Sequence, residues 1–318
     1  MTYIGIDTSC YTTSVSATED SEVLFDLRTP LKVKIGQRGL RQSEAVFQHI
    51  RNLDAMIPKL MCMLGDMKIH AIAVSSAPRT ESDSYMPVFL AGKTVADALS
   101  AALHIPCYHV SHQQGHIRAA LYKNEGISKR FIALHMSGGT SEAVIADKSL
   151  NIELLGGSSD IHAGQLVDRI GVAMGCPFPC GKHIELLAKQ CVSDFPKIPA
   201  SVKGMSMSFS GAEDRLMREI SSGTKKTAIA YAIYDLLSRS LFKLIKNARG
   251  ISGVRDVLLA GGVSSSLLLK QLLLKRMDKA CASEGIFFSE SELSSDNAVG
   301  VALIAGDMYN NIGCRLKL

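Results

Sequence analysis

His112 and His116 stand four residues apart in the stretch SHQQGHIRAAL, residues 111–121. On an α-helix that spacing puts two imidazoles on one face, with Cβ atoms about 5–6 Å apart. Two ring nitrogens so placed can chelate one divalent ion at about 2.0–2.1 Å per bond. The HExxH pattern of metalloproteases uses this spacing with a Glu as general base. Here the intervening residues are Gln113, Gln114 and Gly115, so peptide hydrolysis lacks its base. An oxygen ligand would complete the set. Asp296, in SSDNAVG at the start of the last helical segment, is the natural candidate, expected to reach in from the facing domain.

Three turns could hold a phosphorylated ligand. In DTSCYTTS (7–14), Asp7 caps a strand and Ser9 begins a run of small hydroxyl residues. The acid can reach a metal or a water, and turn amides can face phosphate oxygens. MSGGT (136–140) sits at the matching place in the second half of the chain, where Gly138 and Gly139 allow positive φ and close approach of a ligand. LLAGGVSSS (258–266) runs from a strand through Gly261 and Gly262 to Ser266 at a helix start. That geometry suits an adenine or ribose face, or a phosphate on the helix dipole. A lone Gly-Gly turn is most often a hairpin; the three loops together, with matching places in two repeats, are expected to form a nucleotide site.

These residues need a scaffold that repeats. YIGIDTSCYTTSVSATEDSEVLFDLR reads as three short strands, and RFIALHMSGGTSEAVIADKSLNIELLGG (130–157) reads the same way. Each meander is followed by alternating helical and strand patterns. The fold expected is α/β: a two-domain actin-like, sugar-kinase or heat-shock-protein ATPase fold, with a duplicated βββαβα unit and a cleft between domains. The domains are expected at 1–125 and 126–318, the second with an insertion at about 158–223. The chain has 318 residues, 47% hydrophobic and 20% charged, with net charge +5. That is the composition of a soluble globular protein, and the positive charge permits a polyanionic partner. No run reaches the roughly 18 apolar residues of a membrane span. The stretch MTYIGIDTSC has no basic run and no cleavage site, so no signal peptide is expected. The eight cysteines are scattered through apolar segments, which points to reduced thiols and a cytoplasmic location, with no membrane.

Taken in order, these motifs resemble one family over nearly the whole chain. GIDTSC, SHQQGHIRAAL, HMSGGTSEAV, SSDIHAGQLVDRIGVAMGCPFPCGKHIELLA, MSFSG, LLAGGVSSS and SSDNA are similar to the motifs of the tRNA threonylcarbamoyladenosine-synthesis transferases, formerly classed as glycoproteases. The resemblance implies a metal, Fe2+ or Zn2+, on His112, His116 and Asp296. It implies nucleotide-side contacts from His135, Met136, Ser137, Gly138 and Gly139, and from Asp168 and Gly181. It implies transfer of a threonylcarbamoyl group from threonylcarbamoyl-AMP to the N6 amine of the adenosine 3′ of a tRNA anticodon, with AMP or ATP as related ligands. No protein nucleophile is needed for that reaction, and none is assigned.

The departures from the family pattern cluster. Tyr11 and Thr12 replace two acids, the loop at 77–92 is lengthened, Glu213 and Asp214 stand where a Lys is usual, and Ser266 replaces an Asn. A metal- and nucleotide-binding paralogue that acts as partner or regulator is therefore the alternative. An actin-fold kinase would need a catalytic Asp, for which Asp160 is the one candidate. Residues 40–64 carry a wide apolar stripe at helical spacing. By the resemblance, this helix is expected to pair with a smaller paralogous subunit or a second copy, with Met56 and Leu60 facing outward.

Overall fold

The computed structural model describes residues 1–9, 11–33, 40–81, 83–192 and 194–315, the stretch 312–315 by its backbone alone. Contacts divide the chain into two units: Met1–Lys32, Gly39–Tyr122 and Glu292–Leu318 form the first, and Val33–Arg38 with Lys123–Ser291 the second.

The first unit opens with the meander β1 (Thr2–Asp7), β2 (Thr12–Glu19) and β3 (Glu22–Pro30). It continues through α1 (Gln42–Leu64), β4 (Ile69–Ala77), α2 (Phe89–Leu103), β5 (Cys107–Ser111) and α3 (His112–Leu121). Its sheet runs β3-β2-β1-β4-β5, antiparallel in the meander and parallel from β1 to β5. All six residues of β1 are buried, as expected of a central strand covered on both faces.

The second unit holds β6 (Arg130–Met136), β7 (Ser141–Asp147) and β8 (Ile152–Gly157). After it come α4 (Ala163–Ala173), α5 (Gly181–Lys189), β9 (Ser201–Lys203), β10 (Ser206–Ser208) and α6 (Ser210–Ser221). Then α7 (Lys226–Ser252), β11 (Val257–Ala260), α8 (Leu267–Lys279) and β12 (Ile286–Phe288) resume the pattern. The sheet order, β8-β7-β6-β11-β12, reproduces that of the first unit strand for strand. The duplication legible in the two meanders is thus present in the hydrogen-bond ladders. The elements α4 to α6 have no counterpart in the first unit.

The last helix, α9 (Val299–Arg315), belongs to the first unit. This corrects the division at 125/126, which assigned residues 292–318 to the second domain. Sequence order suggested that assignment, but α9 buries its apolar face against β1, β4 and α3. A second correction concerns α1. Leu53, Met56, Leu60 and Leu64 are buried against Ile4, Ile6, Val15 and Ile72 of the sheet. Met56 and Leu60 therefore do not face outward; Phe47, Ile50 and Met63 do. Both sets have helical spacing, so periodicity alone did not say which faced the sheet. Among the described residues no helix is long and apolar enough to cross a membrane. Among the described residues no cysteine forms a disulfide, Cys176 and Cys180 included; Cys10 lies outside the described residues.

Candidate functional site

The strand β5 ends at Ser111, whose side chain caps α3: Gln114 N donates to Ser111 Oγ at 3.1 Å and Ser111 N donates to Gln114 Oε1 at 2.9 Å. This capping box fixes the first helical turn. One turn on, Gly115 leaves room for α9. A Cβ on Gly300 would strike the Gly115 carbonyl, and one on Gly115 would lie 2.9 Å from Val301 Cγ2. The two glycines let the helices cross at backbone distance. Just ahead of that crossing, Asn297 Oδ1 accepts from Val299 N at 3.0 Å and caps α9, while Ala298 N donates to Ser14 Oγ at 2.6 Å. Asp296, next in the chain, is thereby delivered to the histidines from within the same unit, not from a facing domain.

The three side chains converge. His112 Nε2 and His116 Nε2 are 3.0 Å apart, and Asp296 Oδ1 lies 3.3 Å from His116 Nε2 and 3.7 Å from His112 Nε2. His116 is buried and His112 and Asp296 are half-buried. Behind them, His112 Nδ1 meets Asp7 Oδ2 at 2.8 Å, and Ser75 Oγ donates to the same oxygen at 2.6 Å. Ser9 N donates to Asp7 Oδ1 at 2.8 Å. Burial would raise the Asp7 carboxyl, but the facing His112 ring and these donors hold it well below the usual carboxylate range. An ionised Asp7 requires the His112 proton on Nδ1, which turns the Nε2 lone pair toward His116 and Asp296.

That arrangement fits a cation. Burial disfavours the charged His112 ring, yet Asp7 and then Asp296 lift it to about 9, while burial and the neighbouring His112 depress His116. Against the cost of burial, the two histidines hold the Asp296 carboxyl down. Three acceptor atoms thus face one point, where a single proton can serve only two of them. A divalent ion serves all three, and the donor set of two imidazoles and a carboxylate suits iron or zinc. Asp7 is not aimed at a ligand, as the first turn suggested; it stands behind His112 and orients it. Ser9 is buried, and among the described residues its Oγ has no hydrogen-bond partner. The 77–92 segment closes on the same place: Gln113 N donates to the Pro78 carbonyl at 3.1 Å and Thr8 Oγ1 to the Val88 carbonyl at 2.9 Å. Of the other altered positions, Tyr11 O accepts from Leu31 N and Thr12 simply opens β2.

In the second unit, β6 carries His135 and Met136 to the turn 137–140. Ser137 Oγ accepts from Gly139 N at 3.3 Å and from Thr140 N at 3.0 Å, which closes the turn. Neither Gly138 nor Gly139 has the positive φ the sequence allowed; both have open space where a Cβ would project. Their lack of a side chain leaves the turn approachable without being needed for its conformation. Gly164 packs underneath, where a Cβ would lie 2.6 Å from Gly138 Cα and from the Ser137 carbonyl. Gly261 does need its φ of +91°, because its backbone abuts Met136, and Val263 N donates to the Met136 carbonyl at 3.0 Å. His135, Met136, Ser137, Gly138 and Gly261 are therefore brought together at the ends of β6 and β11, with the open Gly262 beside them. Ser266 serves as N-cap of α8, accepting from Leu269 N at 3.2 Å.

Asp168 and Gly181 meet through the turn between them. Cys180 N donates to Asp168 Oδ1 at 2.7 Å, and burial outweighs that bond to push the Asp168 carboxyl up to about 6. A carboxylate so raised is characteristic of functional sites. Asp160 has the opposite character. It accepts from Phe209 N at 2.9 Å, Ser208 Oγ at 2.6 Å, Ser210 Oγ at 2.7 Å and Ser210 N at 3.1 Å. These donors overcome desolvation and hold it far below the range of a general base, so it is an anchor for the start of α6. Glu213, at the position where a Lys is usual, pairs with Arg169 Nη1 at 2.9 Å. Sequence reasoning missed Ser75, Asn297 and the Gly115–Gly300 crossing. Two glycines inside helical patterns were the available signal for the crossing.

A model of the tRNA N6-adenosine threonylcarbamoyltransferase family matches residues 32–303. The tRNA N6-adenosine threonylcarbamoyltransferase of Thermus thermophilus is 28% identical over 309 residues, covering 96% of this chain and 92% of that one. Among solved structures, HypF of T. kodakarensis superposes with a TM-score of 0.64 at 15% identity; it covers 98% of this chain, which spans 48% of HypF. A ROK family glucokinase from Streptomyces griseus, in complex with glucose and AMPPNP, gives 0.55 at 12% identity, covering 96% of this chain and all of that one. These likenesses, with the duplicated sheets, show the actin-like, sugar-kinase type of fold.

Proposed function

Because the chain belongs to the tRNA N6-adenosine threonylcarbamoyltransferase family, an acyltransferase family, we propose that it moves a threonylcarbamoyl group from threonylcarbamoyl-AMP to N6 of the adenosine 3′ of a tRNA anticodon. The bond from N6 to the carbamoyl carbon forms, the bond from that carbon to the AMP phosphate oxygen breaks, and the amine gives up a proton. The convergence of His112, His116 and Asp296 on one point, with Asp7 fixing the His112 tautomer, is the observation that supports metal-dependent transfer. A divalent ion there, Fe2+ or Zn2+, would supply positive charge for carbamoyl and phosphate oxygens. Asp7 and Ser75 hold His112 in place, and the Gly115–Gly300 crossing keeps Asp296 within reach. In the second unit, the turn at Ser137–Gly139 with Gly261 and Gly262 is proposed to receive the adenylate. Asp168, through Cys180, positions Gly181 beside it.

The same reading gives tRNA as partner, the cytoplasm as location, and α1 as the surface for a smaller paralogue or a second copy. One observation favours the alternative of a binding paralogue: Glu213 in place of the usual Lys, already engaged by Arg169. Metal analysis combined with transfer from threonylcarbamoyl-AMP to unmodified tRNA tests both readings. The unmutated chain should carry metal and modify tRNA, and His112→Ala with His116→Ala should lose the transfer and one equivalent of metal. Metal and nucleotide binding without transfer, even with a paralogous subunit added, would select the alternative. Unchanged metal content in the double variant would remove the metal centre.

A further inference from the structure

We propose that Asp97, Cys107 and His109 form a second divalent-cation site, of the zinc-binding kind, that ties α2 to the edge strand β5. Residues two apart on a strand share a face, so Cys107 and His109 project from β5 on the same side. Asp97 of α2 packs over that side. The Cys107 sulfur, a His109 ring nitrogen and an Asp97 carboxylate oxygen all lie within 4.8 Å of one another. His109 Nε2 is already 2.8 Å from Asp97 Oδ1, and Lys93 Nζ donates to Asp97 Oδ2 at 2.8 Å.

Tetrahedral zinc takes sulfur at about 2.3 Å and imidazole or carboxylate at about 2.0–2.2 Å, which sets its ligand atoms roughly 3.3–3.7 Å apart. The His109–Asp97 contact has to open by less than about 1 Å to admit the ion, an adjustment within the reach of side chains. Lys93 stays on the second carboxylate oxygen and keeps Asp97 monodentate, the part played by an outer partner of a metal ligand. Water takes the fourth position, since all three residues are half-buried or exposed. Burial, and then the facing Asp97, push the Cys107 thiol up to about 11, so an ion has to displace a proton that the thiol holds firmly. A cation would displace that proton to solvent and neutralise the thiolate and carboxylate together. The site is separate from the histidine pair: it contains sulfur, and it shares no ligand with His112, His116 or Asp296. Among the described residues β5 pairs only with β4, which makes it the edge strand of its sheet. A cation joining it to α2 would secure that edge strand.

Cobalt(II) titrated into the full-length chain tests the assignment. Cobalt bound by a thiolate gives charge-transfer absorption in the near ultraviolet, which a two-histidine, one-carboxylate set cannot. The band should appear, be displaced by zinc, vanish in Cys107→Ser, and need at least about tenfold more cobalt in His109→Ala. In the unmutated chain, zinc should protect Cys107 from iodoacetamide, read by mass spectrometry, which makes the test independent of how the variants fold. Absence of the band, its survival in Cys107→Ser, or equal alkylation with and without zinc would overturn the proposal.

Discussion

His112 is held through its Nδ1 by Asp7 at 2.8 Å, although the two residues are 105 positions apart. That contact decides which ring nitrogen faces Asp296. Asp7→Asn keeps the shape and removes the charge. It should weaken metal binding by about 10–100-fold, as loss of an outer partner does. Isothermal titration with zinc, with circular dichroism as the fold control, measures it. An unchanged affinity in a folded variant would show that Asp7 does not orient the ring.

The glycines of the 137–140 turn separate ligand effects from folding effects. Gly139→Val meets open space and an ordinary φ, so its melting temperature should stay near that of the unmutated chain. Its affinity for AMP or ATP should fall at least about tenfold, or ~1.4 kcal/mol. Gly164→Ala should instead cost about 1–3 kcal/mol of stability, because its Cβ meets backbone that cannot yield. Calorimetric affinities together with thermal melts distinguish the two. Equal nucleotide binding in Gly139→Val would reduce the turn to a hairpin.

Asp168 sets a pH dependence of known sign. Its carboxyl titrates near 6 in the folded chain, above the ordinary carboxylate value. The folded state therefore favours the protonated form, and this contribution, complete below pH of about 4, is lost as pH rises through 6. Asp168→Asn can still accept from Cys180 N and does not ionise. It should melt roughly a few degrees higher than the unmutated chain at pH 8, with the gap closing toward pH 4. A gap independent of pH would mean that Asp168 is not the group responsible.

Association through α1 should depend on Phe47 and Ile50, which are 61% and 54% exposed, whereas Met56 and Leu60 are at 6% and 1%. Phe47→Glu with Ile50→Glu should give a folded monomer by light scattering. Leu60→Glu should unfold the first unit, since it buries an unpaired charge. A monomeric unmutated chain that also ignores a purified paralogous subunit would refute the pairing.

What could be read from residue order was local. The repeated meanders announced the duplicated sheets, and the four-residue spacing of His112 and His116 announced that their rings meet on one helix face. The i,i+4 rule says nothing about what stands behind a ring, so Asp7 was assigned to ligand instead of to His112. Asp160 looked like a free acid because its donors, Ser208 to Ser210, come from nearly fifty residues downstream. The sheet on which α9 docks was hidden for a different reason. Apolar periodicity marks a buried face without naming its partner; the glycines at close approaches, Gly5 of β1 under Ala302 and Gly115 of α3 under Gly300, carry that information.

The docking of α9 also sets a timetable. A ribosome delivers His112 and His116, then residues 123–291 of the second unit, and only afterwards Asp296 and the helix that packs on α3. A nascent chain halted anywhere in the second unit presents two histidines without their carboxylate and an uncovered face over β1 and α3. The trio of His112, His116 and Asp296 is thus assembled from segments made early and late in translation, and its completion marks a chain synthesised at least through residue 296.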